Sequence, residues 1–540
     1  MAVLISALAA GCEGRSGRDP ILGIGSIAGI APTVTTVAPV DKATDVSINT
    51  STIAAAFSEP MAAIGGTSFT VTCAAPCANP TGTVTLNAAN RVATFALTPA
   101  TDLEPLTAYT VTLSGARSLA TGIALASPYV WRFTTGVATD LTAPKVSSTS
   151  PLPSASGVAI NTLVIAGFSE SMNPLTITTA TFTVACPAGT PITGVVGYAV
   201  NGNVATFTPT RNLPISTSCT ATIAAGVEDA AANGMAEAFS WSFTTGAAPD
   251  TAGPAVSSTS PPANGSGIAI NTLIAASFSE PMDPLTVTAA TFTLACPAGA
   301  PITGTVSYAV NGNVAAFTPA GNLPAGTPCT AKIGTGVKDV AGNALGTAYS
   351  WIFTTGVAPD TTAPTVSSTS PFTNDSDVAI NALITASFSE PMDPLTITTA
   401  NFTLSCPAGT PIIGTVGYAV NGNVATFTPA SNLPSITTCT AEVTTGVKDV
   451  AENGMAAVAS WVFTTGSAPD TVPPTVSSTS PLAGDSGVAI NTLITASFSE
   501  SMDMALWATS LTPLAIRAVQ AVLAGRLLAG VKVATLPFTA

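Results

Sequence analysis

Short runs in which hydrophobic and polar residues alternate recur along the chain, and each is bounded by glycine, proline or asparagine. Residues 349–355 are a clear case, since Trp351 and Phe353 share one side of an extended strand and Ile352 lies on the other. A period of two residues is typical of strands with one buried face. The pattern therefore predicts an all-β fold, with Trp351 and Phe353 in a core and Ile352 exposed.

Residues 254–356 show the order of these strands. An Asn-Gly-Asn segment at residues 311–313 interrupts an apolar run, and Asn-Gly between two strands favours a hairpin because both residues accept positive φ. Strands are predicted at residues 255–260, 269–278, 291–296, 304–310, 314–319, 329–334 and 349–355. Seven strands in a stretch of this length are typical of an Ig-type β-sandwich.

The same pattern is repeated along the chain. The sequence Trp-x-Phe-Thr-Thr-Gly begins at Trp131, Trp241, Trp351 and Trp461, with a spacing of 110 residues. A fixed period of this kind predicts tandem domains. Four complete units and a truncated fifth are predicted at residues 31–136, 144–246, 254–356, 364–466 and 474–503. Short linkers bounded by proline, such as residues 358–364, predict an elongated array of semi-rigidly spaced units placed end to end.

Several motifs occur in the same order in each unit. In the third unit they are Pro254–Val256, Ile270–Thr272, Phe278–Met282, Val337–Asn343 and Trp351–Thr355. This order resembles the bacterial Ig-like domain named after the S-layer protein SbsA, across roughly residues 31–503. The resemblance implies a surface or secreted setting, where such repeats space out another domain. We call the segment Val337–Asn343 of the third unit, which contains Asp339, and its counterparts in the other units the late turn. The first unit departs from the pattern, because residues 116–122 replace this turn and contain no aspartate.

Cysteines recur in pairs within the units. In the second, third and fourth units, the first cysteine ends the third predicted strand and the second opens the sixth, and these strand ends are neighbours in an Ig fold. We therefore predict the disulfides Cys186–Cys219, Cys296–Cys329 and Cys406–Cys439. In the first unit Cys73 and Cys77 are predicted to form a local disulfide, with metal binding or free thiols as the alternatives.

Cys12 follows Leu8-Ala9-Ala10-Gly11, a short apolar stretch that ends in small residues. This pattern resembles a lipobox, so residues 1–12 are predicted to be a lipoprotein-type signal segment with Cys12 lipidated. Residues 13–30 would then be a flexible tether. The alternative is an ordinary N-terminal remnant, since no Lys or Arg precedes the apolar stretch.

The repeat stops within the fifth unit, after Asp503. Residues 504–540 differ in composition from the rest of the chain and are interpreted as an aberrant tail, the product of a frameshift or a truncated gene. A genuine amphipathic helix over residues 514–528 is the alternative. A membrane-spanning helix is not expected, because Arg517 and Arg526 interrupt the apolar run.

The composition narrows the classes of function. Only 8% of the residues are charged, the net charge is −14, and the chain contains no histidine. An acidic chain without a basic stripe is not expected to bind nucleic acid. The lack of histidine excludes a Ser-His-Asp triad, a Cys-His pair and a His-ligated zinc site.

Carboxylates recur from unit to unit. Glu280 and Glu390 belong to Phe-Ser-Glu motifs, and Asp250, Asp360 and Asp470 lie in linkers. A catalytic pair is expected once, in a cleft, so repetition favours a structural role. Calcium is the one candidate cofactor, because a linker Asp and a Glu of the neighbouring unit would supply hard oxygen ligands. A third set is predicted only to form the late turns, namely Asp229, Asp339 and Asp449.

These features predict a non-catalytic stalk of the cell envelope, anchored in the outer membrane or extracellular, that serves adhesion or envelope architecture. The expected partners are a membrane, through the lipid on Cys12, and a surface polysaccharide or protein. Two alternatives remain open. One is the spacer of a secreted enzyme or ice-binding protein that has lost its effector domain; the other is a carbohydrate-binding array with an exposed aromatic strip.

Overall fold

The computed structural model describes residues 31–499, except residues 88, 90, 99–101, 201, 421, 489–491 and 493. Within these residues the chain forms strands and turns, and the all-β class predicted from the alternation is confirmed. No helix among them is long and apolar enough to cross a membrane. The predicted signal segment, the tether and the tail from residue 504 lie outside the described residues.

Seven strands follow one another in the same order in each complete unit, and the first and third units each have one additional short strand, β2 (Ala43–Val46) and β19 (Pro301–Ile302). The first unit contains β1 Val34–Ala38, β2 Ala43–Val46, β3 Thr52–Phe57, β4 Phe69–Cys73, β5 Gly82–Leu86, β6 Val92–Leu97, β7 Ala108–Leu113 and β8 Tyr129–Thr135. The second contains β9 Val146–Ser150, β10 Val164–Phe168, β11 Phe182–Ala185, β12 Gly194–Ala199, β13 Val204–Pro209, β14 Ser218–Ile223 and β15 Phe239–Thr244.

The third unit contains β16 Val256–Ser260, β17 Ile274–Phe278, β18 Phe292–Ala295, β19 Pro301–Ile302, β20 Gly304–Ala309, β21 Val314–Pro319, β22 Pro328–Ile333 and β23 Tyr349–Thr354. The fourth contains β24 Val366–Ser370, β25 Ile384–Phe388, β26 Phe402–Ser405, β27 Gly414–Ala419, β28 Val424–Pro429, β29 Thr438–Val443 and β30 Ala459–Thr464. The described part of the fifth unit contains β31 Val476–Ser480 and β32 Thr495–Phe498.

Each complete unit is a sandwich of two sheets. In the third unit one sheet has the strand order β16-β17-β21-β20 and the other the order β19-β18-β22-β23. Residues of alternating parity from both sheets fill the core, where Phe292 contacts the rings of Phe317 and Trp351. Trp351 and Phe353 are buried and Ile352 is 51% exposed, which confirms the faces predicted from the alternation.

The predicted strands of the third unit differ little from those observed, except for the second. The hairpin forms where it was predicted, but positive φ occurs at Gly312 and Asn313 instead of at the Asn311-Gly312 pair. The second strand begins at Ile274 instead of residue 269. The preceding residues form a turn, in which the backbone N–H of Thr272 donates to the carbonyl of Ala269.

The segment that enters each unit runs parallel to the strand that leaves it. In the first unit β2 pairs with β8 in parallel. In the third unit Ile268 forms a parallel bridge with Thr355, and the N–H of Gly356 donates to the carbonyl of Ile268 over 2.7 Å. The two ends of a unit are therefore joined directly by backbone hydrogen bonds.

Consecutive units pack through one face of a sheet. The side chains of β17 and β21 alternate, so Ile274 and Phe317 point into the third unit, while Ala275 and Val314 join the core of the fourth. We call the side of the sheet that carries Ala275 and Val314 the outer face. Burial of one valine side chain contributes about 1.5–3 kcal/mol, so this contact stabilises both units.

The surface that receives the outer face is formed by the late turn of the next unit and by an edge strand of its first sheet, which is β27 in the fourth unit. Backbone hydrogen bonds fix the contact, because Leu163 N donates to Val340 O over 2.8 Å and Leu273 N donates to Val450 O over 2.7 Å. A Cβ at Gly312 would lie 2.7 Å from the carbonyl oxygen of Tyr418, so the hairpin tip approaches β27 as closely as glycine allows. We call this surface the receiving edge.

Units that are not consecutive also touch. Lys42 Nζ of the first unit donates to Ala320 O of the third over 2.9 Å, and β9 of the second unit contacts β27 of the fourth. A single cleft is lined by residues of all four complete units, among them Val40, Val310 and Leu395. These contacts correct the end-to-end arrangement expected from the linkers, because alternate units lie side by side.

Candidate functional site at the unit junctions

Each of three junctions gathers three carboxylates. One comes from the linker, one from the Phe-Ser-Glu motif of the following unit, and one from the late turn of that unit. In each group, one carboxylate oxygen per residue lies within 4.8 Å of the others; the groups are Asp140 with Glu170 and Asp229, Asp250 with Glu280 and Asp339, and Asp360 with Glu390 and Asp449. Repetition of the group follows from repetition of the fold.

The linker aspartate is held by the units on both sides. Asn161 of the second unit accepts a hydrogen bond from Asp250 N over 2.8 Å and donates from Nδ2 to Asp250 O over 2.9 Å. Asn343 of the third unit donates from Nδ2 to the same carbonyl over 3.3 Å. The linker backbone is therefore fixed at the point where the carboxylates meet.

The late-turn aspartate is buried and shapes its turn. Asp339 Oδ1 accepts from Ala341 N over 2.8 Å and from Asn343 N over 2.9 Å, while Oδ2 accepts from Asn343 Nδ2 over 2.9 Å. This is the turn-forming role predicted from the sequence. The same carboxylate also completes the junction group, a role that was not predicted from the sequence. The fact that this aspartate recurs with the same 110-residue spacing as the linker aspartate could have indicated it.

The glutamate is placed by the loop that carries it. Met282, two residues after Glu280, donates from its backbone N–H to Tyr308 Oη over 2.8 Å and forms an antiparallel bridge with Asp339. These contacts bring the motif loop against the late turn, so Glu280 lies beside Asp339 and faces Asp250.

Burial and the neighbouring carboxylates change the protonation of the glutamate in each group. Burial, followed by the negative charges of Asp339 and Asp250, raises the pKa of Glu280 from 4.5 to about 7. The pKa of Glu170 is raised to about 7 by burial and by its neighbours Asp140 and Asp229. The pKa of Glu390 is raised to about 7 as well. Each junction therefore favours either a bound proton or a bound cation.

The free energy of unfolding is expected to fall as the pH rises from about 4.5 to about 7 in metal-free buffer. Between these pH values the folded state holds more protons on these glutamates than the unfolded state does, so each rise in pH disfavours the folded state. Thermal unfolding at pH 5 and at pH 8 measures the difference. A chain with Glu170→Gln, Glu280→Gln and Glu390→Gln should lose most of it; an unchanged pH dependence would contradict the assignment.

The sequence-predicted calcium candidates are partly assembled. The structure brings Asp250 together with Glu280 and Asp360 together with Glu390. Asp470 lies in the next linker, but Glu500 of that junction is outside the described residues. Cys12 also lies outside them, so its lipidation stays a prediction.

The first unit carries a different arrangement at this place. Ser118 replaces the late-turn aspartate, and its Oγ donates to Glu59 Oε2 over 2.9 Å. Met61 forms the same bridge with Ser118 that Met282 forms with Asp339. The backbone of the turn is thus retained, while its carboxylate is lost, and the sequence also has no acidic residue between positions 20 and 40 to supply the linker carboxylate.

The structure pairs the cysteines in the arrangement expected from the sequence, as Cys73–Cys77, Cys186–Cys219, Cys296–Cys329 and Cys406–Cys439. The last three close loops with a sequence separation of 33 residues, and each joins two strands of one sheet. The first closes a loop with a separation of only 4 residues.

The four repeated tryptophans are buried in the cores of their units. Trp241 Nε1 donates to Pro151 O and Trp351 Nε1 donates to Pro261 O inside these cores. They therefore do not form the exposed aromatic strip that a carbohydrate-binding array requires.

A comparison with protein families finds the bacterial Ig-like domain five times along the chain, at residues 28–135, 140–245, 250–355, 360–465 and 470–540. The chain belongs to the bacterial Ig-like domain family. The resemblance noted in the sequence is thereby confirmed, and the repeated sandwiches are bacterial Ig-like units. No curated protein matches the chain.

Solved structures with several domains show a distant similarity to these Ig-like units. Domains 1–6 of the surface layer protein SbsC are 13% identical, with a TM-score of 0.19, over 83% of this chain and 56% of that one. Immunoglobulin domains 1–4 of Sidekick-1 are 9% identical, with a TM-score of 0.19, over 81% of this chain and 99% of that one. The chain thus spans a little over half the length of the SbsC structure.

Proposed function

We propose that the protein is a non-catalytic structural or adhesive array of the bacterial cell envelope. The observation that carries this proposal is the repetition of its polar groups: the carboxylates that lie close together recur at equivalent places in three units. Catalysis needs a group of residues that is formed in a cleft and matched to one substrate. A group repeated at three successive junctions serves what these junctions share, which is the connection between units.

Location in the envelope is supported by the cysteines. Disulfides persist in oxidising compartments such as the periplasm and the cell surface. Eight of the nine cysteines are paired in the described residues, and the ninth is the predicted lipid-bearing Cys12. A lipid there would hold the N-terminal end at a membrane and leave the units free to reach a surface polysaccharide or protein.

Intact mass of the protein extracted from cell membranes tests this location. We expect a mass with a lipid on Cys12, and an increase of eight hydrogen masses on reduction of the four disulfides. Digestion of intact cells with a protease should remove the units if they face outward. A chain that retains Met1, has free thiols and resists protease until lysis would overturn the proposed location.

Calcium at the junctions is a second candidate function within the same architecture. The group of Asp250, Glu280 and Asp339 offers three carboxylates, and calcium prefers oxygen ligands in a flexible arrangement. A divalent cation would neutralise the repulsion that adds to burial in raising the pKa of Glu280. Because the ligands come from a linker and the following unit, the cation would stiffen the junction.

Calcium is expected to raise the thermal stability of chelator-treated protein at pH 8. Extracellular calcium modules bind with dissociation constants of about 0.1–1 mM, so 10 mM calcium would add roughly 1.4–2.7 kcal/mol per junction. Calorimetric unfolding with and without calcium measures the effect. Magnesium serves as the matched ion, since it demands a stricter octahedral geometry.

The first unit provides the matched control for this experiment. Glu280→Gln with Glu390→Gln should reduce the calcium effect, whereas Glu59→Gln should leave it unchanged because Ser118 has replaced the third carboxylate there. Equal unfolding temperatures with and without calcium in the unmodified chain would reject the junction sites. They would leave the structural role of the array untouched.

A further inference from the structure

The cleft shared by the four complete units is a place where elements distant in the chain meet. It is lined by Val37 of β1, Ser148 of β9, Asn311 at the hairpin of the third unit and Leu395 of the fourth unit. Its volume is about 240 Å³. Pockets for drug-sized ligands have about 300–1,000 Å³, so this cleft admits a small molecule or a single unit of a longer chain.

The second unit departs from the repeat at two positions of this cleft. Gly167 and Ser171 both line it. The other complete units have alanine or serine at the first position and proline at the second; in the third unit these residues are Ser277 and Pro281. Gly167 pairs with Ser148 of β9, and a Cβ at Gly167 would collide with the hydroxyl oxygen of Ser148. The shape of the cleft therefore depends on residues that the repeated fold does not require.

Two serine side chains of β9 offer hydroxyl groups to the cleft. Ser147 and Ser148 line it and are half-buried. Within the described ranges neither hydroxyl has a hydrogen-bond partner. The counterpart of Ser147 in the fourth unit does have one, since Ser367 Oγ donates to Ser387 O over 3.0 Å. Half-buried hydroxyls are stabilised by a partner, so these two favour a ligand that carries hydrogen-bonding groups of its own.

The lining of the cleft is uncharged. None of the described residues that line it is Asp, Glu, Lys or Arg, and the buried Tyr308 already accepts a hydrogen bond from Met282 N through its Oη. A charged ligand would lose hydration here without gaining an opposite charge. A hydrocarbon would leave the serine hydroxyls without partners. The lining therefore favours a ligand that is polar and neutral.

Aliphatic side chains lie in the same cleft as these polar groups. Val40 is 47% exposed, and Val310 and Leu395 line the cleft with it. A ligand that matches both kinds of group has to present C–H surface and hydroxyl groups together. A neutral sugar ring has this combination.

We propose that the cleft binds one uncharged sugar unit of a polysaccharide. The hydroxyls of Ser147 and Ser148 and the amide of Asn311 hydrogen-bond the sugar hydroxyls, and Val40 and Leu395 pack against its C–H groups. The lining lacks the pair of carboxylates that hydrolysis of a glycosidic bond needs, so the cleft binds the sugar without cleaving it. This inference names a partner of the proposed envelope array and rests on that function for its biological meaning.

The sugar is expected to bind only while alternate units lie side by side, because all four units contribute to the cleft. A ligand that binds one arrangement of the units stabilises that arrangement. The contact of β9 with β27 belongs to it, as does the hydrogen bond from Lys42 Nζ to Ala320 O. A bound sugar should therefore slow hydrogen exchange in β9 and in β27 together.

Calorimetric titration of the purified full chain with neutral trisaccharides tests the proposal. The probes are the trimers of glucose, mannose, galactose and N-acetylglucosamine, and trigalacturonate is the charged counterpart of the galactose trimer. We expect at least one neutral trimer to bind once per chain, with a dissociation constant on the order of 1 mM because only one sugar unit enters the cleft. Trigalacturonate should bind at least about tenfold more weakly, since its charge finds no partner.

The third unit supplies the residues for a test variant. Gly167→Ser with Ser171→Pro gives the second unit the residues that the same fold accommodates in the third. We expect the affinity to fall at least about tenfold, because a side chain at position 167 displaces the hydroxyl of Ser148. Gly65→Ser adds the same side chain at an open position of the first unit and should bind as the unmodified chain does.

Three results would overturn the proposal. They are failure of every neutral trimer to bind at about 20 mM, equal binding of trigalacturonate, and unchanged affinity in the chain with Gly167→Ser and Ser171→Pro. If that chain does not fold, hydrogen exchange of the unmodified chain decides, and protection by sugar outside β9 and β27 would contradict the assigned site. None of these results bears on the location of the protein, which the mass and protease measurements decide separately.

Discussion

Removing the Cys296–Cys329 disulfide is expected to lower the free energy of unfolding of the third unit by about 4 kcal/mol. The bond closes a loop with a sequence separation of 33 residues, and loss of that constraint enlarges the unfolded ensemble. Both cysteines should be replaced by alanine, so that no buried thiol is left without its partner. Chains of several domains generally do not unfold in one step, so hydrogen exchange of peptides from each unit is the appropriate measurement.

The first unit supplies the control for this prediction. Cys73 and Cys77 are separated by only 4 residues, so their replacement should cost about 2 kcal/mol on the same loop-closure argument. Faster exchange confined to the third unit, and larger than the change in the first, would support the loop-length explanation. Equal losses in the two units would contradict it.

The second large effect is expected from a charge placed between two units. Val314→Asp puts a carboxylate on the outer face of the third unit, where the valine is fully buried against the fourth. A buried carboxylate without a partner should cost about 3–5 kcal/mol and weaken the contact between these units. Hydrogen exchange should then increase in β21 and in β27 together, because both strands lie at this junction.

Val424→Asp is the matched substitution one unit further along the chain. The same residue type occupies the equivalent strand position but is only half-buried, so the cost should be below about 1 kcal/mol. The two variants therefore make the same Val→Asp change at one buried and one half-buried position of equivalent strands. If both variants lose the same stability, the loss comes from the strand itself and not from packing between units.

Much of the single unit could be predicted from the sequence, because alternation directly reports which side of a strand is buried. Val314–Pro319 was placed without error, and the two cysteines in each pair were assigned to neighbouring strand ends. The start of the second strand was wrong by five residues. There the chain forms a turn that contacts the next unit. Contacts with another unit do not produce the two-residue alternation from which strands are predicted.

The packing of consecutive units was not predicted, although the sequence contains one pattern that is consistent with it. The run from Leu273 to Phe278 is almost entirely apolar or small, which is typical of a strand covered on both faces. In the fourth unit Thr385 interrupts the same run. A short apolar run can also belong to a buried helix, however, so only the neighbouring unit seen in the structure shows that both faces of this strand are covered.

The candidate site was predicted in two of its three parts. A linker aspartate and a glutamate of the next unit were paired on their period alone, and the structure brings Asp250 and Glu280 together. Asp339 was assigned only to its turn, because a turn-forming aspartate already has a sufficient local reason to recur. The second role depends on how two loops of one unit meet, which spacing along the chain does not reveal.

The parallel pairing between the entering segment and the leaving strand of each unit has a mechanical consequence. Tension along the chain pulls Ile268 and Thr355, which lie side by side, in opposite directions. The hydrogen bonds between the two segments lie across this direction, so they are sheared together instead of being opened one after another like a zipper. A unit joined in this way is expected to resist opening under tension better than one whose end strands separate one hydrogen bond at a time.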